Sequence, residues 1–127
     1  MRFLMAIKAT PDYEAGVPPS PALAARMGRL TAEMIQRGVV LASEGLQPSS
    51  QGARIRHAAG IRVVLDGPFA EAKEVIGGFA IVQAASLDEA KALAQQVVDV
   101  HVDAGVDTVE LEIRPLCDLP EFASSRA

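Results

Sequence analysis

Phe3, Met5 and Ile7 alternate with Leu4 and Ala6, which predicts a first strand with apolar side chains on both faces. "TPDYEAGVPPSP" follows as a loop rich in Pro and Gly. Leu23, Met27, Leu30 and Met34 then recur at helical spacing, with Ser20 placed to cap, Pro21 in the first turn and Gly38 as the stop. "VVLASEGLQ" predicts a second strand, and "ARIRHAAGIRVVLD" two short strands joined near His57–Gly60. "GGFAIVQAA" is again apolar on both faces. Ser86 and Glu89 form a capping box at the head of a second helix, whose buried stripe is Leu87, Ala90, Leu93 or Ala94, Val97 and His101, with Gly105 as its stop. In "TVELEIRPL", Val109, Leu111 and Ile113 alternate with charged residues as a last strand.

The predicted order is strand, helix, strand, short hairpin, strand, helix, strand. That order fits an α+β domain, a ferredoxin-like split βαβ sheet with two helices on one face. Such a sheet leaves its second face bare, yet Phe3–Ile7, Val39–Ala42 and Phe79–Val82 are apolar on both sides. Exposing several side chains worth roughly 1.5–3 kcal/mol each on burial would be a large loss. A second copy of the chain is the simplest cover, so a homodimer is expected. One domain is expected over residues 1–118, with a poorly ordered tail over 119–127.

Composition narrows the partners. Of 127 residues, 50% are apolar, enough for a packed core, while Trp is absent and aromatics are few, which removes the usual stacking platforms for bases. The net charge of −4 without a Lys/Arg cluster argues against nucleic acid or an anionic membrane surface. A single cysteine, Cys117, excludes an internal disulfide and fits a cytoplasmic setting, and no apolar run is long enough to span a bilayer.

Candidate chemistry centres on "LDGPFAEAKE". Nine residues, Asp66–Glu74, separate two strand-like runs, where a hairpin needs roughly two to five. Asp66 ends a strand ahead of Gly67-Pro68. It is either a carboxylate held at a cleft as base or acceptor, or an acceptor for the N–H groups of its own turn. Glu71 and Lys73 are candidate ligand contacts or a solvated loop, and Phe69 is the natural apolar anchor of the segment. His101, on the packing stripe, is either a proton-transfer partner for a carboxylate or a half-buried structural histidine. Glu44 interrupts an apolar strand and is a further candidate ligand contact. His57 and His101 lack metal-ligand spacing, Cys117 is alone, and "VIGGF" leads into no helix and lacks a phosphate-binding lysine, so neither a metal nor another cofactor is expected.

"MRFLMAIKAT…EAG", Glu44–Ser50, "DGPFAEAKE" and "ELEIRPL" together resemble the DGPF-motif, YCII-related family over nearly the whole chain. The resemblance implies a ferredoxin-like domain that pairs into a dimeric αβ-barrel. Some relatives of this type carry a His–Asp pair with the histidine in the first helix. The stretch "PALAARMGRLTAEMIQR" contains none, so that pair is not carried over. Two functions follow as expectations: a metal-free small-molecule enzyme with a cleft near Asp66 and proton transfer through Asp66 and His101, or a non-catalytic dimeric module that binds a small organic ligand or another protein.

Overall fold

The computed structural model describes residues 1–69 and 75–117, so Glu71, Lys73 and the tail at 119–127 lie outside the described residues. Strand β1 (Arg2–Lys8) leads through a single-turn helix, α1 (Pro11–Glu14), to the long helix α2 (Pro21–Gln36) and strand β2 (Val40–Gly45). A 3-10 turn (Ser49–Gln51) precedes the hairpin β3 (Ala53–Ala58) and β4 (Ile61–Asp66). Then come β5 (Ile76–Gln83), α3 (Leu87–Asp103) and β6 (Leu111–Pro115). The loop expected after β1 holds α1, because Thr10 caps it by accepting from the Tyr13 N–H (3.1 Å) and Pro11 suits a first helical turn.

β1, β2, β5 and β6 form one antiparallel sheet in the order β2-β5-β1-β6. With the hairpin set aside, this is the ferredoxin-like arrangement that the element order predicts. The helices start and stop where the chain signals. Ser20 Oγ accepts from the Leu23 N–H and Ser86 Oγ from the Glu89 N–H, both at 3.1 Å. Glu89 reaches back as a capping-box partner, but to the Ala85 N–H, one residue before the cap.

Register decides what faces the helices. Phe3 lies opposite Val82 and Pro115, Met5 opposite Ala80 and Ile113, and Ile7 opposite Gly78 and Leu111. Phe3, Met5 and Val82 pack with Met34 of α2 and with Ala90, Leu93, Ala94 and Val97 of α3 to make the core. Leu87, expected on the buried stripe, is instead exposed at the first turn of α3, outside the reach of the core. The other face of the sheet carries Leu4, Ala6, Phe79 and Ile81, with the Lys8–Glu112 ion pair (3.2 Å) at one end. No helix among the described residues is long and apolar enough to cross a membrane.

The β3–β4 hairpin stands apart as its own two-stranded sheet, and each of its strand residues is exposed, Ile55 at 71% and Val64 at 62%. Its turn residues Ala59 and Gly60 both have positive φ (51° and 77°), the sign pattern of a type I′ turn. Ala59 pays a steric penalty there that asparagine, which tolerates this region, largely avoids. Ala59→Asn should therefore stabilise the hairpin by about 0.5–1 kcal/mol, read as a several-fold rise in amide-exchange protection between β3 and β4 and not elsewhere.

Candidate functional site

Side-chain size falls along the helix-facing side of the sheet. One end is filled by Phe3, Val82 and Val40; the other is floored by Gly78 and Gly45 beside Ile7. The helices cannot sink onto bare backbone while the packed end holds them off, so a hollow of about 1040 Å³ opens between the layers. Its walls are mainly apolar, with Met5 and Ile7 from the sheet, Met27 and Leu30 from α2, Val97 from α3, and Leu111 from β6. Tyr13 closes one end. Its ring lies where a Cβ on Gly77 would come within 3.5 Å, and its hydroxyl donates to the carbonyl of Leu46. A smaller adjoining hollow of about 380 Å³ shares Tyr13 and runs to Leu46 and Pro48.

His101 is the polar side chain set deepest on this hollow, at 9% exposure. It follows Val97 by four residues, so the stripe that builds the core also carries it past the packed end. Its Nδ1 lies 2.7 Å from the Val97 carbonyl oxygen, and its own carbonyl accepts from the Val106 N–H (3.0 Å). Glu44 borders the hollow from the β2 edge. Its register opposite Phe79, itself opposite Ala6, aims the side chain at the open face of the sheet.

Asp66 is elsewhere. It ends β4 opposite Ala53, is exposed, and borders neither hollow. The structure therefore does not bring Asp66 and His101 together in one cavity. Glu71 and Lys73 lie outside the described residues. Among the described residues, no three of His, Cys, Asp and Glu are grouped as metal ligands would be, and Cys117 is exposed.

What the DGPF segment does in the described part is join three distant stretches. Glu14 Oε2 accepts from the Ser49 N–H (2.7 Å), and Ser49 Oγ accepts from the Phe69 N–H (3.0 Å). The Gly67 N–H donates to the Gly52 carbonyl (3.0 Å). A Cβ on Gly67 would lie 1.7 Å from the Ser49 carbonyl oxygen, so only glycine fits. Phe69 is half-buried, with the Arg54 guanidinium 3.9 Å from its ring centroid, which ties the loop to β3. Glu14 Oε1 is buried and has no hydrogen-bond partner among the described residues. Sequence reasoning singled out neither Glu14 nor Ser49. Both lie inside stretches that carry the family resemblance, but no local pattern relates residues so far apart.

Comparison with known proteins adds the following. The model of the YCII-related domain matches residues 1–111. An uncharacterized protein, R00369, of Rhizobium meliloti (strain 1021) is 42% identical over 71 residues, which cover 56% of this chain and 54% of the relative. The chain thus matches about half the length of that curated relative. Among solved structures, 5-chloro-2-hydroxyhydroquinone dehydrochlorinase (TftG) from Burkholderia phenoliruptrix AC1100, in complex with 2,5-dihydroxybenzoquinone, is 19% identical with a TM-score of 0.38, covering 88% of this chain and 91% of that one.

The fastening of the DGPF segment sets the expected effect of two substitutions. Gly67→Ala forces backbone apart at Ser49 and should lower stability by about 2–3 kcal/mol. Ser49→Ala removes only the bond to the Phe69 N–H and should cost about 1 kcal/mol. Denaturant unfolding of both variants checks the order, and a Gly67→Ala protein as stable as the parent would refute the close approach.

Proposed function

The chain belongs to the YCII-related domain family, and we propose that it acts on or retains a small, largely apolar organic molecule in the hollow between the sheet and its helices. The observation that carries this reading is the hollow itself: about 1040 Å³, walled by methionine, leucine, isoleucine and valine, with a histidine buried on it. That combination, apolar walls with a few convergent polar groups, is the usual make-up of a ligand pocket. His101 is the side chain there suited to exchange a proton with the ligand. Asp66 is assigned no part in the chemistry of the hollow, and the DGPF loop acts as the clasp that holds the surrounding loops in register.

A second copy of the chain completes the proposed working unit. Leu4, Ala6, Phe79 and Ile81 make an apolar strip on the sheet face without helices, and Ile55 and Val64 extend apolar surface along the hairpin. An isolated two-stranded hairpin is marginally stable at best, so an arm of this kind gains most from lying on a partner. The reading places the two open sheet faces against each other, in a twofold dimer.

Two experiments test the proposal. The protein, incubated with a cell extract, re-isolated and denatured, should release an apolar small molecule that an Ala80→Leu variant, with the floor of the hollow raised, does not retain. Equal retention by both removes the hollow as the site. Sedimentation at micromolar concentration should give a dimer, and Ile81→Asp, a charge in the middle of the apolar strip, should give a folded monomer. A monomeric parent protein refutes the pairing.

A further inference from the structure

We propose that the hollow selects molecules carrying a hydrogen-bond donor, an apolar alcohol, phenol or amine, over equally apolar molecules that can only accept. This rests on the reading of the hollow as a ligand site and adds the polarity of its recognition. The first observation is the histidine. The Val97 carbonyl can only accept, so the Nδ1 2.7 Å from it carries the proton. The neutral ring then presents a lone pair at Nε2, which has no hydrogen-bond partner among the described residues. The residue as a whole is 9% exposed and lines the hollow, so a ligand seated there would cover this nitrogen. A ligand hydroxyl or amino group satisfies it; an ether or ketone oxygen meets it lone pair to lone pair.

Other fixed groups on the hollow have the same polarity. Tyr13 gives its hydroxyl hydrogen to the Leu46 carbonyl, which leaves its oxygen as an acceptor. The carboxylates of Asp12 and Asp107 at the rim accept only. Several donors that line the hollow are engaged elsewhere, while the N–H groups of residues 107–110 stand at its rim. The Tyr13 N–H is held by Thr10 Oγ1 and the Leu23 N–H by Ser20 Oγ. The Ala24 N–H goes to the Ser20 carbonyl, Pro11, Pro18 and Pro19 have none, and the N–H groups of Gly105 and Val106 close the end of α3 on Val102 and His101. The Lys8 ammonium is paired with Glu112 on the opposite sheet face. Hydroxyls such as Thr31 and Ser43 can turn either way and do not alter the bias.

The test uses matched probes, naphthol and methoxynaphthalene, which differ in whether the oxygen can donate. Naphthol should bind at least about tenfold more tightly, the discrimination expected when one analogue leaves a buried acceptor unpaired. In His101→Phe the preference should fall to about twofold or less, on the same reasoning. Should that variant fail to fold, nitrogen NMR of the native imidazole answers the question. In the neutral imidazole Nε2 should resonate as a pyridine-type nitrogen, and should move on addition of naphthol but not of methoxynaphthalene. Equal affinity for the two probes, or an Nε2 that already carries a proton, overturns this inference and leaves the hollow standing as a site. Binding of neither probe overturns the inference together with the reading on which it rests.

Discussion

The register between β1 and β5 is the constraint from which the molecule's interior follows. Setting Phe3 against Val82 places Ile7 against Gly78, so one end of the sheet is tall with side chains and the other is nearly bare. Sliding β1 by a single residue against β5 would turn it over and put Leu4 and Ala6, in place of Phe3 and Met5, under the helices. Packed end, open end and the position of His101 are thus set by one alignment. The helices span both ends as rigid rods, and close packing at Phe3, Met34 and Val82 holds them clear of the glycines.

The DGPF stretch belongs to a different layer of organisation. Its short polar residues and fixed turn read equally well as a place for chemistry or a place for fastening. In the described part of the chain the fastening is explicit: a carboxylate from the end of α1, a buried serine from the 3-10 turn after β2 and the segment that leaves β4 meet at Ser49. The contact between Ser49 and Gly67 admits no side chain, which is a strong reason for a glycine there that requires no substrate.

Much of the architecture was legible because the signals are local. The caps at Ser20 and Ser86, the stops at Gly38 and Gly105, and the stripes through Met34 and Val97 each depend on residues within a few positions of one another. The two-faced apolarity of β1 and β5 likewise pointed to a central pair. What was not legible is long-range. Periodicity placed His101 on a stripe but could not say that the stripe leaves the core and enters a hollow, since that depends on glycines in β2 and β5. Nor could it say that Asp66 closes a hairpin outside the main sheet, because a hairpin's own pattern does not reveal which sheet it joins. Short α1 was hidden inside a Pro/Gly-rich stretch whose composition reads as loop.

The strand order has a consequence for the making of the protein. β1 lies in the middle of the main sheet, between β5 and β6. During synthesis it leaves the ribosome first of the strands and must wait from Lys8 until Ile76 before a hydrogen-bonding neighbour exists. At roughly 5–20 residues per second, that interval is on the order of several seconds. For all of it, a strand apolar on both faces is without its sheet, and β2, whose neighbour among the described strands is β5, offers no substitute in the finished order. The nascent chain is therefore most exposed to aggregation in mid-translation, and the appearance of β5 is the event that ends that exposure.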